Sequence, residues 1–232
     1  RMDARYLWSI EAFRPIYGEE KMFLLGSLVE PSSVAYNAVI VRGGGVLPGE
    51  SVLIMGSGPV GIAACAELRR AGAAKVIISE PSRSRREMAL ALGATHAIDP
   101  AAGDVPGAVL DITEGMGVKI ILEATGLPSV VWPDIEKIIW EGRQLNATVV
   151  LVARADDRII MNGEVFQVRR ANVVGAQGHS GHGIFPNVIN SMADGMDMTP
   201  LITKKITLEE TAEHIKLLQT NREQVKITVL PR

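Results

Sequence analysis

Cysteine is almost absent from this sequence, with one residue, Cys65, in 232. A lone thiol forms no internal disulfide and offers no Cys-x-x-Cys pair for structural zinc, so Cys65 reads as a core residue of an early helix. Aromatic residues are scarce too, at 4% against 47% hydrophobic residues overall. The core therefore has to be built from aliphatic side chains. Neither sign of charge dominates: Lys and Arg total 24, Asp and Glu 26, and the basic residues are scattered instead of gathered into a run. That removes the electrostatic footprint of a nucleic-acid or anionic-membrane binder. No uncharged apolar run is long enough to span a bilayer, and no charged start leads into an apolar stretch with a cleavage site. The expectation is a soluble, cytoplasmic protein whose partner is a small molecule.

What the sequence does contain, from about residue 50 onward, is a regular alternation of short β-branched runs with longer helical segments. Strands are expected over residues 51–55, 75–79, 95–98, 119–122, 147–152 and 171–176, and helices over 59–71, 83–92, 105–113 and 128–140, with Gly93 stopping the second helix. Such alternation specifies an α/β fold, a Rossmann-type doubly wound parallel sheet made of two mononucleotide-binding halves. Residues 158–170 are too short and irregular for the usual crossover helix alone and read as small strands or an edge feature. Upstream, residues 31–41 read as a helix. Downstream come the glycine-rich Gly178-His179-Ser180-Gly181-His182-Gly183, helices over 185–193 and 208–219, and a last strand over 225–230.

The first strand runs into Gly56-Ser57-Gly58-Pro59-Val60-Gly61, which opens the following helix. Glycines cluster in turns for conformational reasons alone, so the strand-turn-helix context carries the signal. Gly56 permits the tight turn, Gly58 lets the backbone approach a pyrophosphate, and Gly61 lets the helix pack on the sheet. Pro59 occupies the first turn, and the unpaired amides at Val60 and Gly61 face an anion. Glu80 ends the second strand, 19 positions after Gly61, near the offset of about 20 at which an acid bonds the adenosine ribose hydroxyls. Its charge opposes a 2′-phosphate and favours NAD over NADP; the alternative is a solvated strand end. Arg83, Arg85 and Arg86 follow at once, placed to hold such a phosphate or to stack on adenine.

These residues also resemble a known family. Gly49-Glu50-Ser51-Val52-Leu53-Ile54-Met55-Gly56 with the loop after it, and Leu92-Gly93-Ala94-Thr95-His96-Ala97-Ile98-Asp99, are similar to the coenzyme domain of the zinc-dependent medium-chain alcohol and polyol dehydrogenases. The likeness runs from about Gly26 to the C-terminus. Glu123-Ala124-Thr125-Gly126 resembles the family loop passing the adenosine side of the cofactor, which implicates Thr125. Val152-Ala153 and Gln177-Gly178 fall where family members line the nicotinamide pocket. Leu28-Val29-Glu30-Pro31-Ser32-Ser33-Val34 is similar to the polyol-dehydrogenase motif whose glutamate approaches the catalytic zinc, which makes Glu30 the metal-directed candidate; the alternative is an acid that only starts the helix over 31–41, where the helix dipole favours it. Arg42-Gly43-Gly44-Gly45 and Phe166-Gln167-Val168-Arg169-Arg170 resemble bacterial dehydrogenases of the inositol and scyllo-inosose type.

The resemblance implies NAD-dependent oxidation of a secondary alcohol or polyol, assisted by zinc, in a homodimer or homotetramer. The family's zinc-ligating cysteine and histidine have no counterpart here, and no catalytic residue is assigned within the chain. This implies a dinucleotide-binding domain over residues 43–194, with 1–42 and 195–232 as remnants of a GroES-like catalytic domain, binding cofactor without turning over alcohol. Rival readings are a zinc-free NADPH-dependent quinone or enoyl reductase and a non-catalytic dinucleotide-binding domain. His179 and His182 are candidates for metal ligation, proton relay or substrate contact, against the alternative of loop histidines bonding backbone or water. His96 and His214 read as surface residues, and Met192, Met196 and Met198 as packing.

Overall fold

Why the chain folds as it does is clearest in the strands, where β-branched residues stand next to one another without polar interruption, the pattern of a parallel sheet covered on both faces. The structure, a computed structural model, describes residues 7–179, 183–221 and 223–230. Helices α1 (Arg14–Tyr17), α2 (Glu19–Gly26) and α3 (Val29–Tyr36) come first, and α3 runs on into a π-helical turn, Asn37–Arg42. The helix expected over 31–41 therefore starts two residues early and changes hydrogen-bond register at Asn37. Pro31 is accommodated in its first turn, where the missing N–H has no partner to lose.

Then follow β1 (Ser51–Met55), α4 (Pro59–Arg70), β2 (Lys75–Ser79), α5 (Arg83–Ala91), β3 (His96–Ile98), α6 (Val105–Ile112), β4 (Ile120–Glu123), α7 (Pro128–Glu141), β5 (Thr148–Leu151), α8 (Gly163–Arg169) and β6 (Asn172–Gly175). These six strands form one parallel sheet in the order β3-β2-β1-β4-β5-β6. Order reverses between β1 and β4, so the chain leaves in opposite directions there and opens a crevice at the carboxyl ends of the strands. Alternate residues feed two cores. Val52, Ile54, Ile78 and Leu122 join one apolar cluster, while Leu53, Met55, Ile77 and Ile121 join the cluster on the opposite face.

The chain closes with α9 (Ile184–Ala193), β7 (Ile202–Ile206), α10 (Thr211–Thr220) and β8 (Lys226–Val229), β7 and β8 pairing in parallel as a separate two-stranded sheet. The flanking segments do not build a core of their own. Phe13, Met22, Leu25 and Leu28 from the N-terminal side and Met192, Met196, Met198 and Leu201 from the C-terminal side all enter the first cluster. Those methionines are packing residues, and Cys65 is a buried core residue, both as expected.

Several expectations need correction. Residues 158–170 form no strand: they include α8, capped by the Asn162 side chain, which accepts from the Glu164 N–H at 3.1 Å, and ended by Arg170 in the left-handed region at φ 55°. Phe166 stacking on Trp132 at 5.8 Å holds this short helix to α7. His214 is not a surface residue. It is 6% exposed, its Nδ1 donating to the Glu210 carbonyl at 3.0 Å. The helix expected from residue 208 begins at Thr211, because the Glu210 carboxylate accepts the Thr207 N–H at 2.8 Å and closes a turn ahead of it. Strand β7 was not expected, since Lys204 and Lys205 interrupt its apolar run. Among the described residues no single helix is long and apolar enough to cross a membrane.

Candidate functional site

The glycine loop sits at the mouth of the crevice. Gly56 has φ 101°, and a Cβ there would meet the Ala124 carbonyl oxygen at 2.7 Å and the Thr125 nitrogen at 3.0 Å. The first glycine thus permits both the turn and the approach of the loop after β4. At Gly61 an added Cβ would overlap the Gly56 carbonyl oxygen, which is how closely α4 packs on the turn. Gly58 differs from both: its backbone is extended (φ −74°, ψ −178°), and a Cβ would meet nothing within 4 Å. It faces open space. No side chain caps α4 and Pro59 fills its first turn, so the amides of Val60 and Gly61 remain for an outside anion. This cradle fits a pyrophosphate.

Glu80 is buried and is not a solvated strand end. Its Oε2 accepts the Ser57 N–H at 2.8 Å and its Oε1 the Ser82 N–H at 2.9 Å, tying the glycine loop to the end of β2. Each oxygen keeps a second lone pair. The three arginines diverge. Arg85 directs Nη2 to the Gln224 carbonyl at 2.9 Å, while its own carbonyl accepts from Ser57 Oγ at 3.1 Å. Arg86 bonds the carbonyls of Glu80 and Pro81 and pairs with Asp99 at 3.0 Å. Arg83 is exposed and pairs with Glu87 at 2.9 Å.

Across β1, Glu123 plays the matching part for the other loop. It is 1% exposed, and its Oε1 accepts the N–H groups of Thr125 at 2.8 Å and Gly126 at 3.1 Å as well as the Thr125 hydroxyl. Sequence reasoning marked Thr125 and passed over the carboxylate that positions it. The signal available was an acid ending an otherwise apolar strand. Val152 is half-buried and donates its N–H to the Glu123 carbonyl at 3.1 Å. Asn37, also missed, is fully enclosed: its Nδ2 donates to the Gly178 carbonyl at 2.9 Å and reaches the Gln177 carbonyl at 3.5 Å. Thr125, Val152 and Gln177 therefore lie on loops at the same end of the sheet as Gly56.

Glu30, in the first turn of α3, has its Oε1 3.9 Å from His179 Nε2. The His179 ring stands edge-on to Phe185 at 4.4 Å, and Phe185 stacks on Trp8 at 4.7 Å. His182 lies outside the described residues. A catalytic zinc takes about three protein ligands, and among the described residues no group of three His, Cys, Asp or Glu is placed to hold a metal ion. Cys65 contributes nothing, because burial pushes its thiol far above the ordinary range. The described residues do not by themselves make a zinc centre.

A doubly wound sheet with an anion-ready glycine loop at its switch point defines a Rossmann-type coenzyme domain. The chain belongs to the zinc-binding dehydrogenase family: residues 59–194 match the family described as "Zinc-binding dehydrogenase". It is 58% identical to scyllo-inosose 3-dehydrogenase of Thermotoga maritima over 230 residues, covering 99% of this chain and 58% of that protein. It is 33% identical to (R,R)-butanediol dehydrogenase of Bacillus subtilis, covering 92% of this chain and 59% of the relative. Among solved structures, a candidate alcohol dehydrogenase from Thermotoga maritima matches with TM-score 0.97 at 58% identity, covering 99% of this chain and 58% of the other. A candidate zinc-binding dehydrogenase from Sinorhizobium meliloti, bound to NADP, matches with TM-score 0.75 at 25% identity, covering 89% and 59%. The chain thus spans little more than half the length of these relatives.

Proposed function

We propose that this chain is the NAD-binding part of an enzyme that oxidises a small secondary alcohol or polyol. The observation that carries the reading is the open cradle at Gly58, bounded by the start of α4 on one side and the buried Glu80 carboxylate on the other. The names of the relatives support the substrate class. When bound, the nicotinamide supplies the hydride acceptor. The chain's own residues bind and orient it. Gly58 and the amides of Val60 and Gly61 take the pyrophosphate. The spare lone pairs of Glu80 accept the ribose hydroxyls, and its charge opposes a 2′-phosphate, hence NAD. Arg85 braces Ser57 through its carbonyl, Thr125 borders the adenosine side, and Val152 with Gln177 borders the nicotinamide. Glu30 is the residue directed toward zinc, and further ligands are not among the described residues.

In this reading residues 43–194 form the dinucleotide domain, while 1–42 and 195–232 belong with a catalytic domain. The enzyme is cytoplasmic and assembles as a homodimer or homotetramer. A zinc-free NADPH-dependent reductase is the second reading, favoured by the NADP bound in the structure of the Sinorhizobium meliloti relative. Purified intact protein decides between them. Alcohol-dependent reduction of NAD, with stoichiometric zinc by elemental analysis, is the expected result; a metal-free protein oxidising NADPH with enones would overturn it.

A further inference from the structure

The sheet order β3-β2-β1-β4-β5-β6 divides the crevice into two halves, and Glu80 marks the β1 to β3 half as the adenosine side. The second mononucleotide of the cofactor then falls on the carboxyl ends of β4 to β6. There the backbone leaving β6 loses its sheet partner. The Ala176 N–H still donates to the Leu151 carbonyl at 2.9 Å, after which the chain turns at Gly178, whose φ of 56° lies in the left-handed region. A glycine peptide has the widest choice of orientation. A contact from outside the loop has to select one.

Asn37 supplies that contact. It is buried at the point where α3 passes into π-helical hydrogen bonding, and its Nδ2 donates to the Gly178 carbonyl at 2.9 Å and reaches the Gln177 carbonyl at 3.5 Å. Carbonyl oxygens only accept, which fixes the amide with its nitrogen toward them. Its Oδ1 is left buried with no hydrogen-bond partner among the described residues. A leucine of nearly the same shape would fill this space without an orphaned oxygen, so what asparagine adds is its pair of N–H donors. At the other end of the same π-helical segment, Arg42 Nε donates to the Gly175 carbonyl at 2.9 Å. One short segment therefore grips the backbone on both sides of Ala176, and π-helical interruptions of this kind are frequent at functional sites.

We propose that Asn37, supported by Arg42, is a positioning residue for the nicotinamide ring. It holds the backbone at Gln177 and Gly178 where that backbone borders the ring, and touches no cofactor atom itself. The inference rests on the cofactor reading above. The adenosine half is held by Glu80 and the glycine loop on the other side of the crevice, so release of the clamp is felt at the nicotinamide and not at the adenosine.

The test compares the binding of NAD and of ADP-ribose, which lacks the nicotinamide, to the intact protein by calorimetry, with the emission of bound NADH reporting the surroundings of the ring. Asn37→Leu keeps the packing and removes both donors. It is expected to weaken NAD about fivefold, to leave ADP-ribose unmoved and to change the emission of bound NADH. A residue that only supports the fold would weaken both ligands together, and that outcome overturns the inference, as does an NAD affinity equal to that of the unmodified protein. If the unmodified protein binds neither ligand, the cofactor reading itself fails and this inference falls with it. Should Asn37→Leu not fold, the same measurements on Arg42→Ala decide, since Arg42 is exposed and grips the same backbone at Gly175. A loss confined to NAD sustains the clamp, and any other pattern overturns it.

Discussion

Glu80 accepts the backbone N–H of Ser57 at 2.8 Å, so the acid at the end of β2 is part of the scaffold of the glycine loop before any cofactor arrives. Its other oxygen is engaged by Ser82. Replacing it should therefore have two separable effects. Glu80→Gln keeps a carbonyl acceptor but removes the charge, so discrimination against NADP should weaken while NAD binding falls only modestly. Glu80→Ala leaves the Ser57 amide unpaired, and affinity for both cofactors should drop about tenfold or more. Titration of NAD and NADP against the three proteins checks this. Tighter binding of NADP than NAD by the unmodified protein would refute the assignment of Glu80.

Two of the loop glycines should separate binding from folding. An alanine at Gly58 meets nothing in the protein and finds an ordinary backbone angle, so it should barely change stability while weakening NAD by about tenfold or more. Gly61→Ala instead drives a methyl into the Gly56 carbonyl and should cost about 2 kcal/mol of stability. Thermal melts with and without NAD tell the two apart. A Gly58→Ala protein that melts early yet binds normally would contradict the open-cradle geometry.

Most of the sheet was legible because its strands are short apolar runs closed by glycine or an acid, as Ser51 to Gly56 shows. What escaped was decided by tertiary contact. Nothing local marks Ile202–Ile206 as a strand, since Lys204 and Lys205 interrupt its apolar run and its partner β8 is 24 residues downstream. His214 looks like a surface residue because its neighbours Glu213 and Lys216 are charged; its burial comes from packing. In the site, the Gly-x-Gly-x-x-Gly spacing encodes its own geometry, whereas the roles of Glu123 and Asn37 depend on loops distant in sequence, as when Asn37 bonds residue 178.

Stability should depend on pH through Glu67. Burial on α4 pushes this carboxyl up to about 7, partly offset by Arg70, and its Oε1 has no hydrogen-bond partner. The folded state therefore holds a proton that the unfolded chain releases near 4.5. Its contribution is most favourable below 4.5 and is lost as pH rises through about 7. Glu67→Gln, which mimics the protonated form, should leave stability unchanged at low pH and raise it at pH above about 8 by on the order of 3 kcal/mol. Urea unfolding of both proteins across this range is the measurement. A difference independent of pH would show that Glu67 keeps an ordinary carboxyl.

Assembly should run through β6. This strand ends the sheet order, so one edge of its backbone lacks a strand partner within the described residues. Val173 is 39% exposed there, paired on its inner side with Val149, and Arg42 already bonds the Gly175 carbonyl at 2.9 Å, which leaves the middle of the strand as the open stretch. An exposed apolar edge of this kind is a template for another strand, and a second copy of the same edge related by a two-fold axis closes it without leaving a further edge. A lysine in the centre of the edge sets like charges beside each other across that axis while remaining tolerable to a monomer facing water. Val173→Lys should accordingly convert a dimer to a monomer in sedimentation equilibrium of the intact protein, or a tetramer to a smaller species, with NAD affinity per chain unchanged. If the lysine variant keeps the parent's mass at the same concentration, the contact lies elsewhere. If it dissociates and also loses cofactor, β6 supports the nicotinamide side through Gln177 as well as the assembly.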